Sequence, residues 1–444
     1  MTGRPSRTHW KIVTLLCAFS MMSYVLRMNI SVAAKFMMSE FALTQVQIGQ
    51  IFSSFMLGYA LFQVPLGMLG DRWGPRRTLA LAGVSWGIAS LLTAFIPGRF
   101  VLAGASVFVS LLVIRFALGI GEAATYPVAT LAIANWVAPR ERGLSNAIVI
   151  AAASFGATLT PPLISWLMVT HGWRSSFYLT GSVAFVVSLL WWIMAADSPA
   201  HHALLRKSPV DPPHASMPSR SLVPVDSHIA HHSGPTWKSV LAKRELWILS
   251  VSYMLDSYVL FIFIFWLYTY LTDVRGFSLL RGGLFASLPF IASTVMTPIG
   301  GRLVDWLCVR YGARRGRKIE PVFCLLSSGL LLFVGAKVSN PYLAIVVLSF
   351  TFGFVQATEG AYWSTSNDIG PQHAGTSGGL MNMVGNLGGV FSTALVPVLV
   401  QHFGWLIALS SGTVTALIAA ALWFFVNVDR PQPGASAVSP IPAN

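Results

Sequence analysis

Gly67–Arg77 reads "GMLGDRWGPRR", and Gly300–Lys318 reads "GGRLVDWLCVRYGARRGRK". Each follows a long apolar stretch, and each passes from glycine through an aspartate to a basic cluster. Basic residues gathered at the end of an apolar run mark a turn on the positively charged side of a membrane. Their return in the second half implies a duplicated chain whose equivalent turns lie on the same side.

The chain has 444 residues, of which 55% are hydrophobic and only 10% charged, with a mean hydropathy of +0.66. A soluble protein of this length needs far more charge to cover its surface, so the fold class is an all-α polytopic membrane protein. Apolar runs of roughly 20 residues set twelve spans, near 12–33, 47–69, 78–97, 102–136, 143–168, 175–196, 246–271, 280–304, 320–336, 340–366, 374–401 and 404–427. The fourth and eleventh are overlong and are expected to tilt or to extend beyond the hydrocarbon. The first is too long for the apolar core of a signal peptide and reads as a retained span.

A stretch rich in Pro, Ser, His and basic residues separates the sixth span from the seventh. It cannot bury a core and reads as a linker. The expected organisation is a six-helix half at 1–196, a linker at 197–243, a second six-helix half at 244–430 and a flexible tail at 431–444. With the N-terminus placed inside, 21 of the 29 Lys and Arg residues fall in inner regions and 6 in outer loops. Only Arg27 and Arg115 remain within spans. This asymmetry makes the termini and the linker cytoplasmic, and it accounts for the net charge of +14 without nucleic acid. Cys17, Cys308 and Cys324 have no disulfide or metal spacing, and the linker histidines are scattered among prolines, so neither metal nor cofactor is expected. The Asn29-Ile30-Ser31 glycosylation pattern lies within a span and is discarded.

"GMLGDRWGPRR" resembles the loop signature of the major facilitator superfamily, with Gly67, Asp71, Arg72, Gly74 and Arg76 in register. Pro75 stands where many members have a base. Other stretches are similar to the anion:cation symporter branch, which includes bacterial sugar-acid carriers and sialin-like proteins. They are "SYVLRMNISVA", "SSFMLGYALFQVPLG", "RFALGIGEAATYP", "FWLYTYLTDVRGFS" and "GTSGGLMNMVGNLGGV". The resemblance implies a monomeric rocker-switch carrier in a bacterial cytoplasmic (inner) membrane, importing a small organic anion with a proton. It also implies that the 67–77 loop braces the cytoplasmic side, with Glu141 as the nearest acid for its arginines. Asp305 with Arg314 and Arg315 forms the weaker second-half copy.

Charges inside the spans point the same way. Arg115 and Glu122 are seven residues apart, nearly two helical turns, and so share a face about 10 Å long. Gly119 and Gly121 between them let a helix or a ligand approach. Arg27 adds a second guanidinium, whose planar fork fits a carboxylate. An interior with two fixed cations and one titratable acid favours an organic anion and disfavours cationic drugs. The resemblance assigns Arg27 to the substrate carboxylate and Arg115 with Glu122 to proton coupling.

One position departs from the branch. Leu26 stands where its members commonly have aspartate, while Asp256 and Glu359 appear in the seventh and tenth spans. These two are further candidates for proton coupling. Tyr24, one turn before Arg27, and Tyr59 match tyrosines that the branch places around substrate. Trp363, Ser364 and Ser366, with Asn382 and Asn386, offer a stacking face and hydroxyl-reading groups on the opposite side. The missing acid keeps an anion exchanger or facilitator without proton coupling as an alternative, and a transporter-like ligand sensor is a third reading. No metal cluster, activated nucleophile or phosphate loop suggests an enzyme.

Overall fold

The computed structural model describes residues 7–97, 104–138, 141–197, 241–370 and 374–426. The linker, apart from its ends, and the tail at 431–444 lie outside them. Thirteen helices run in order: α1 (Arg7–Phe41), α2 (Gln45–Phe95), α3 (Gly104–Ala123), α4 (Thr125–Trp136), α5 (Arg142–His171), α6 (Trp173–Met194), α7 (Arg244–Asp273), α8 (Leu279–Ala286), α9 (Leu288–Tyr311), α10 (Ala313–Lys337), α11 (Pro341–Ala357), α12 (Glu359–Ile369) and α13 (Ala374–Trp423). Among the described residues there is no strand.

Among the described residues ten stretches are long and apolar enough to cross a membrane. Two of them become four once length is considered. α2 has 51 residues and α13 has 50; at 1.5 Å per residue each is about 75 Å long, more than twice the ~30 Å hydrocarbon core. Each bends once, at Gly74 (φ 79°, ψ 158°) and at Gly404 (φ 80°, ψ 172°). Twelve crossings result, as the hydropathy implies.

The bends also carry the duplication. Gly312, between α9 and α10, has φ 80° and ψ 155°, and Gly172, between α5 and α6, has φ 82° and ψ 158°. Gly74 therefore pairs with Gly312, and Gly172 with Gly404, at equivalent turns of the two halves. The second pair lies in "HGW" and "FGW", a repeat that the charge pattern did not pick out. This backbone region is open essentially to glycine alone, at a cost of about 1–3 kcal/mol for other residues. At Gly74 a Cβ would also run into the Asp197 carboxylate. Gly74→Ala should therefore cost at least that much stability, whereas Gly301→Ala, whose Cβ meets nothing within 4 Å, should be near neutral. Thermal melts of the two purified variants check this.

Three spans are interrupted by a single residue. Pro127 has no N–H for the Ala123 carbonyl, which separates α3 from α4 at Ala124; Pro289 does the same to Phe285, next to the break at Ser287. At Thr358 the hydroxyl donates to the Val355 carbonyl (2.6 Å), and the backbone N–H turns to the same oxygen (3.3 Å). The breaks at Ala124 and Thr358 fall beside Glu122 and Glu359, in the equivalent fourth and tenth spans.

Within the first half α1 packs on α5 and α6, and α2 on α3 and α6; in the second, α7 packs on α13, and α9 on α11. The halves meet through α1 with α7, α2 with α13 and α5 with α8. Gly49 abuts the Thr393 carbonyl and Pro397, Gly283 abuts Ser165 and Pro161, and Lys35 pairs with Asp273 at 2.6 Å. Phe52 stacks on Phe265 with ring centroids 4.9 Å apart. All these contacts lie toward the end of the bundle that holds the turns at 42–44 and 274–278. Large apolar side chains such as Phe95, Val113, Ile193 and Phe403 face outward, as lipid contact requires.

Candidate functional site: a buried Arg–Glu pair in an aromatic cage

Close approach of α2 and α3 builds the site. A Cβ on Gly119 would strike the Phe55 carbonyl, and one on Gly58 the Phe116 carbonyl, so the two helices touch backbone to backbone here. The glycines expected to thin the Arg115–Glu122 face therefore admit a helix: Gly121 likewise accommodates Ser85 and Trp86. The contact brings Phe55 and Tyr59 beneath α1. The Arg27 guanidinium carbon lies 4.5 Å from the Tyr59 ring centroid, 4.9 Å from Tyr24 and 5.3 Å from Phe55. Three rings thus surround one cation, an arrangement worth about 0.5–2 kcal/mol per desolvated contact.

Arg27 also donates to Glu122, from Nη2 at 3.0 Å and from Nε at 3.3 Å, both to Oε2. Neither residue is more than 3% exposed. Glu122 Oε1 has no hydrogen-bond partner. The spacing along α3 paired Glu122 with Arg115, but the structure gives the direct ion pair to Arg27. Arg115 remains within electrostatic reach of Glu122. Its Nη1 donates to the Leu26 carbonyl (3.4 Å), it lies 5.5 Å from the Phe177 ring, and its Nε is unpartnered. Where the branch carries an acid, this guanidinium meets only the backbone of Leu26.

Across the centre stands the second half. Glu359 accepts from Tyr253 Oη (3.0 Å) and Trp363 Nε1 (2.9 Å), and it lies within electrostatic reach of Tyr24. Asn382 Nδ2 donates to Gln63 Oε1 (2.9 Å), joining the halves, and Asn386 donates to the Asn382 carbonyl (2.7 Å). Ser364 turns back to the Ala361 carbonyl, and Ser366 is fully buried with an unpartnered hydroxyl. Asp256 is buried apart from the arginines. Gln63, Phe55, Tyr253 and Tyr126, the last bonded to Ser20 at 3.2 Å, escaped the sequence reading. For Gln63 the signal was available, as an amide within the apolar run "YALFQVPLG".

At the 67–77 turn, Asp71 and Arg72 are exposed, and Gly67 rests on Pro127. Arg76 donates from Nε (3.0 Å) and Nη2 (2.8 Å) to the Trp192 carbonyl, and its backbone N–H donates to Asp197 Oδ1 (2.9 Å). Asp197 is thus the acid that meets this turn, capping the helix that restarts after Gly74. Glu141, the acid expected there, has a carboxylate oxygen 3.8 Å from His9 Nε2. In the second-half copy Asp305, Arg314 and Arg315 are exposed.

Residues 16–393 match the Major Facilitator Superfamily. The chain is 31% identical over 439 residues to a probable sulfoacetate transporter of Cupriavidus necator, covering 97% of this chain and 98% of that protein. It is 26% identical to a hexuronate transporter of Bacillus subtilis, over 98% of this chain and 99% of the relative. Among solved structures, an inward-facing bacterial homolog of the human lysosomal transporter Spinster superposes with a TM-score of 0.76 at 18% identity, over 96% of this chain and 97% of that one. A D-xylose–proton symporter gives 0.71 at 16% identity, over 95% and 98%. At these identities the two structures establish the fold alone.

Proposed function

The chain belongs to the Major Facilitator Superfamily, and from that premise we propose that it imports a small organic anion, a carboxylate such as a sugar acid, together with protons. The observation that carries this reading is the buried Arg27–Glu122 pair in its aromatic cage. Glu122 occupies the forked donor of Arg27 as a substrate carboxylate would. Protonation of Glu122 removes that internal competitor and leaves Arg27 and Arg115 as two uncompensated cations, which an entering anion neutralises. Trp363, Asn382, Asn386 and Gln63 then face the remainder of the substrate. The sulfoacetate and hexuronate carriers among the relatives support an anionic substrate.

The Lys and Arg asymmetry supports cytoplasmic termini and places the end where the halves meet outside. On this reading the halves are drawn together on the outer side, as a rocker switch facing inward requires. The turn around Gly67, Asp71, Arg72 and Arg76 braces the opposite stage, with Glu141 and Asp197 as its acids. The sequence kinship with bacterial carriers favours a cytoplasmic membrane. A second reading, anion exchange without protons, draws support from Leu26, since Arg115 faces a backbone carbonyl there.

Purified protein in vesicles, screened with D-glucuronate, D-glucarate and sulfoacetate under an inward proton gradient, tests the proposal. Accumulation of one anion with acidification of the lumen is expected. Uptake without acidification establishes the exchanger instead.

A further inference from the structure

The second half holds a buried acidic centre that the anion site does not use. Asp256 on α7 and Glu320 on α10 are each 1% exposed. Cys324 donates its S–H to Glu320 Oε1 at 3.1 Å, while Glu320 Oε2 and Asp256 Oδ1 have no partner. Asp256 has Tyr253 on its own helix, Glu320 from α10, and Glu359 and Tyr362 from α12. Glu320 has Cys324 and Asp256. α13, packed on α7 and α10, contributes Trp423 against Tyr362 and carries no Asp, Glu, Lys or Arg. Among the described residues no Lys, Arg or His pairs with either acid.

Charge sets what this centre can hold. An ionised carboxylate buried without a cation costs several kcal/mol, and two within reach of each other cost more. Buried polar atoms are satisfied by the protein or by something that binds, and for an orphaned carboxyl oxygen the simplest such species is a proton. The helices present these acids on continuous polar faces. Glu320, Cys324 and Ser328 recur every four residues on α10, as Ser252 and Asp256 do on α7. Ser328 is fully buried with an unpartnered hydroxyl. Glu320 lies seven residues into α10, about 10 Å from the end at Ala313. Glu359, half-buried at the centre, stands at the other end of the series.

We propose that Asp256 and Glu320 form a second proton site, filled from between the halves past Glu359 and emptied at the end of the bundle where α10 begins. Loading makes one O–H bond and neutralises one negative charge. Release breaks that bond and returns the proton to water, so no oxidant or other reactant enters. The proposal rests on the reading above that protons drive transport.

The test uses the full chain in lipid vesicles and, first, the proton alone as probe. Infrared difference spectra taken as the pH is stepped should show a carboxylic C=O band that Glu320→Gln and Asp256→Asn each remove or shift. In vesicles accumulating D-glucuronate or sulfoacetate, the protons entering per anion, read from the reversal potential, should fall by one in either variant. Anion counterflow should keep its wild-type rate in Glu320→Gln, which also shows that the variant is folded. Bands that ignore pH, an unchanged proton count beside a proton-coupled wild type, or a sodium requirement abolished by Glu320→Gln overturn the second site alone. A wild type that moves no protons overturns the underlying reading as well.

Discussion

Arg27→Ala is expected to abolish saturable anion binding. The residue is 3% exposed, its guanidinium is held by three rings, and both of its donors to Glu122 aim at one carboxylate oxygen. On the proposed reading a bound carboxylate takes over those same donors. Truncating one partner of a buried, hydrogen-bonded charge pair costs about 2–5 kcal/mol, equivalent to a roughly 30- to several-thousand-fold rise in Kd. Arg115 keeps one positive charge in the site but does not replace the guanidinium fork that Arg27 presents within the three rings. Arg27→Lys keeps the charge and loses the planar fork, so binding should survive in weakened form. Ligand-dependent thermal shifts with sulfoacetate and D-glucuronate report both variants. Wild-type affinity in Arg27→Ala would remove Arg27 from the anion site.

The twelve crossings were legible because hydropathy and the Lys/Arg imbalance are read along the chain, one residue after another. The Gly74 turn was legible for the same reason, since its glycine sits in a local signature. Partners chosen across helices were not. Seven-residue spacing puts Arg115 and Glu122 on one face of α3, but only the crossing at Gly119 and Gly58 decides that Arg27, from α1, reaches Glu122 first. Asp197 was counted with the linker because it opens a polar stretch, although folding brings it back to the N–H of Arg76. Glu320 was hidden behind "RRGRK", where an acid reads as the end of a solvated turn. Its burial follows from α10 packing against α9, α11 and α13, which no local pattern announces.

Two features of Glu122 make its amide variant the sharpest test of coupling. The side chain is fully buried, and its single direct ionic partner among the described residues is Arg27. Glutamine keeps the shape and can still accept from Arg27, but it carries no charge and binds no proton, so it imitates the loaded state permanently. Anion exchange needs only the loaded site and should persist. On the proposed reading, the share of net accumulation driven through this carboxyl needs it to lose its proton inside and regain it outside, and that share should vanish. For each proton carried per anion, an inward gradient of one pH unit supplies about 1.4 kcal/mol, or roughly tenfold accumulation; Glu122→Gln should lose the factor that its own proton supplies. The pH dependence separates in sign. Wild-type uptake should decline as external pH rises, because fewer carriers load a proton, whereas exchange by Glu122→Gln should stay flat across the same range. Tracer uptake and counterflow, measured in the same vesicles over a series of external pH values, give both quantities. Wild-type accumulation persisting in the variant would show that no coupled proton passes through Glu122, with Asp256, Glu320 and Glu359 the acids left to carry it.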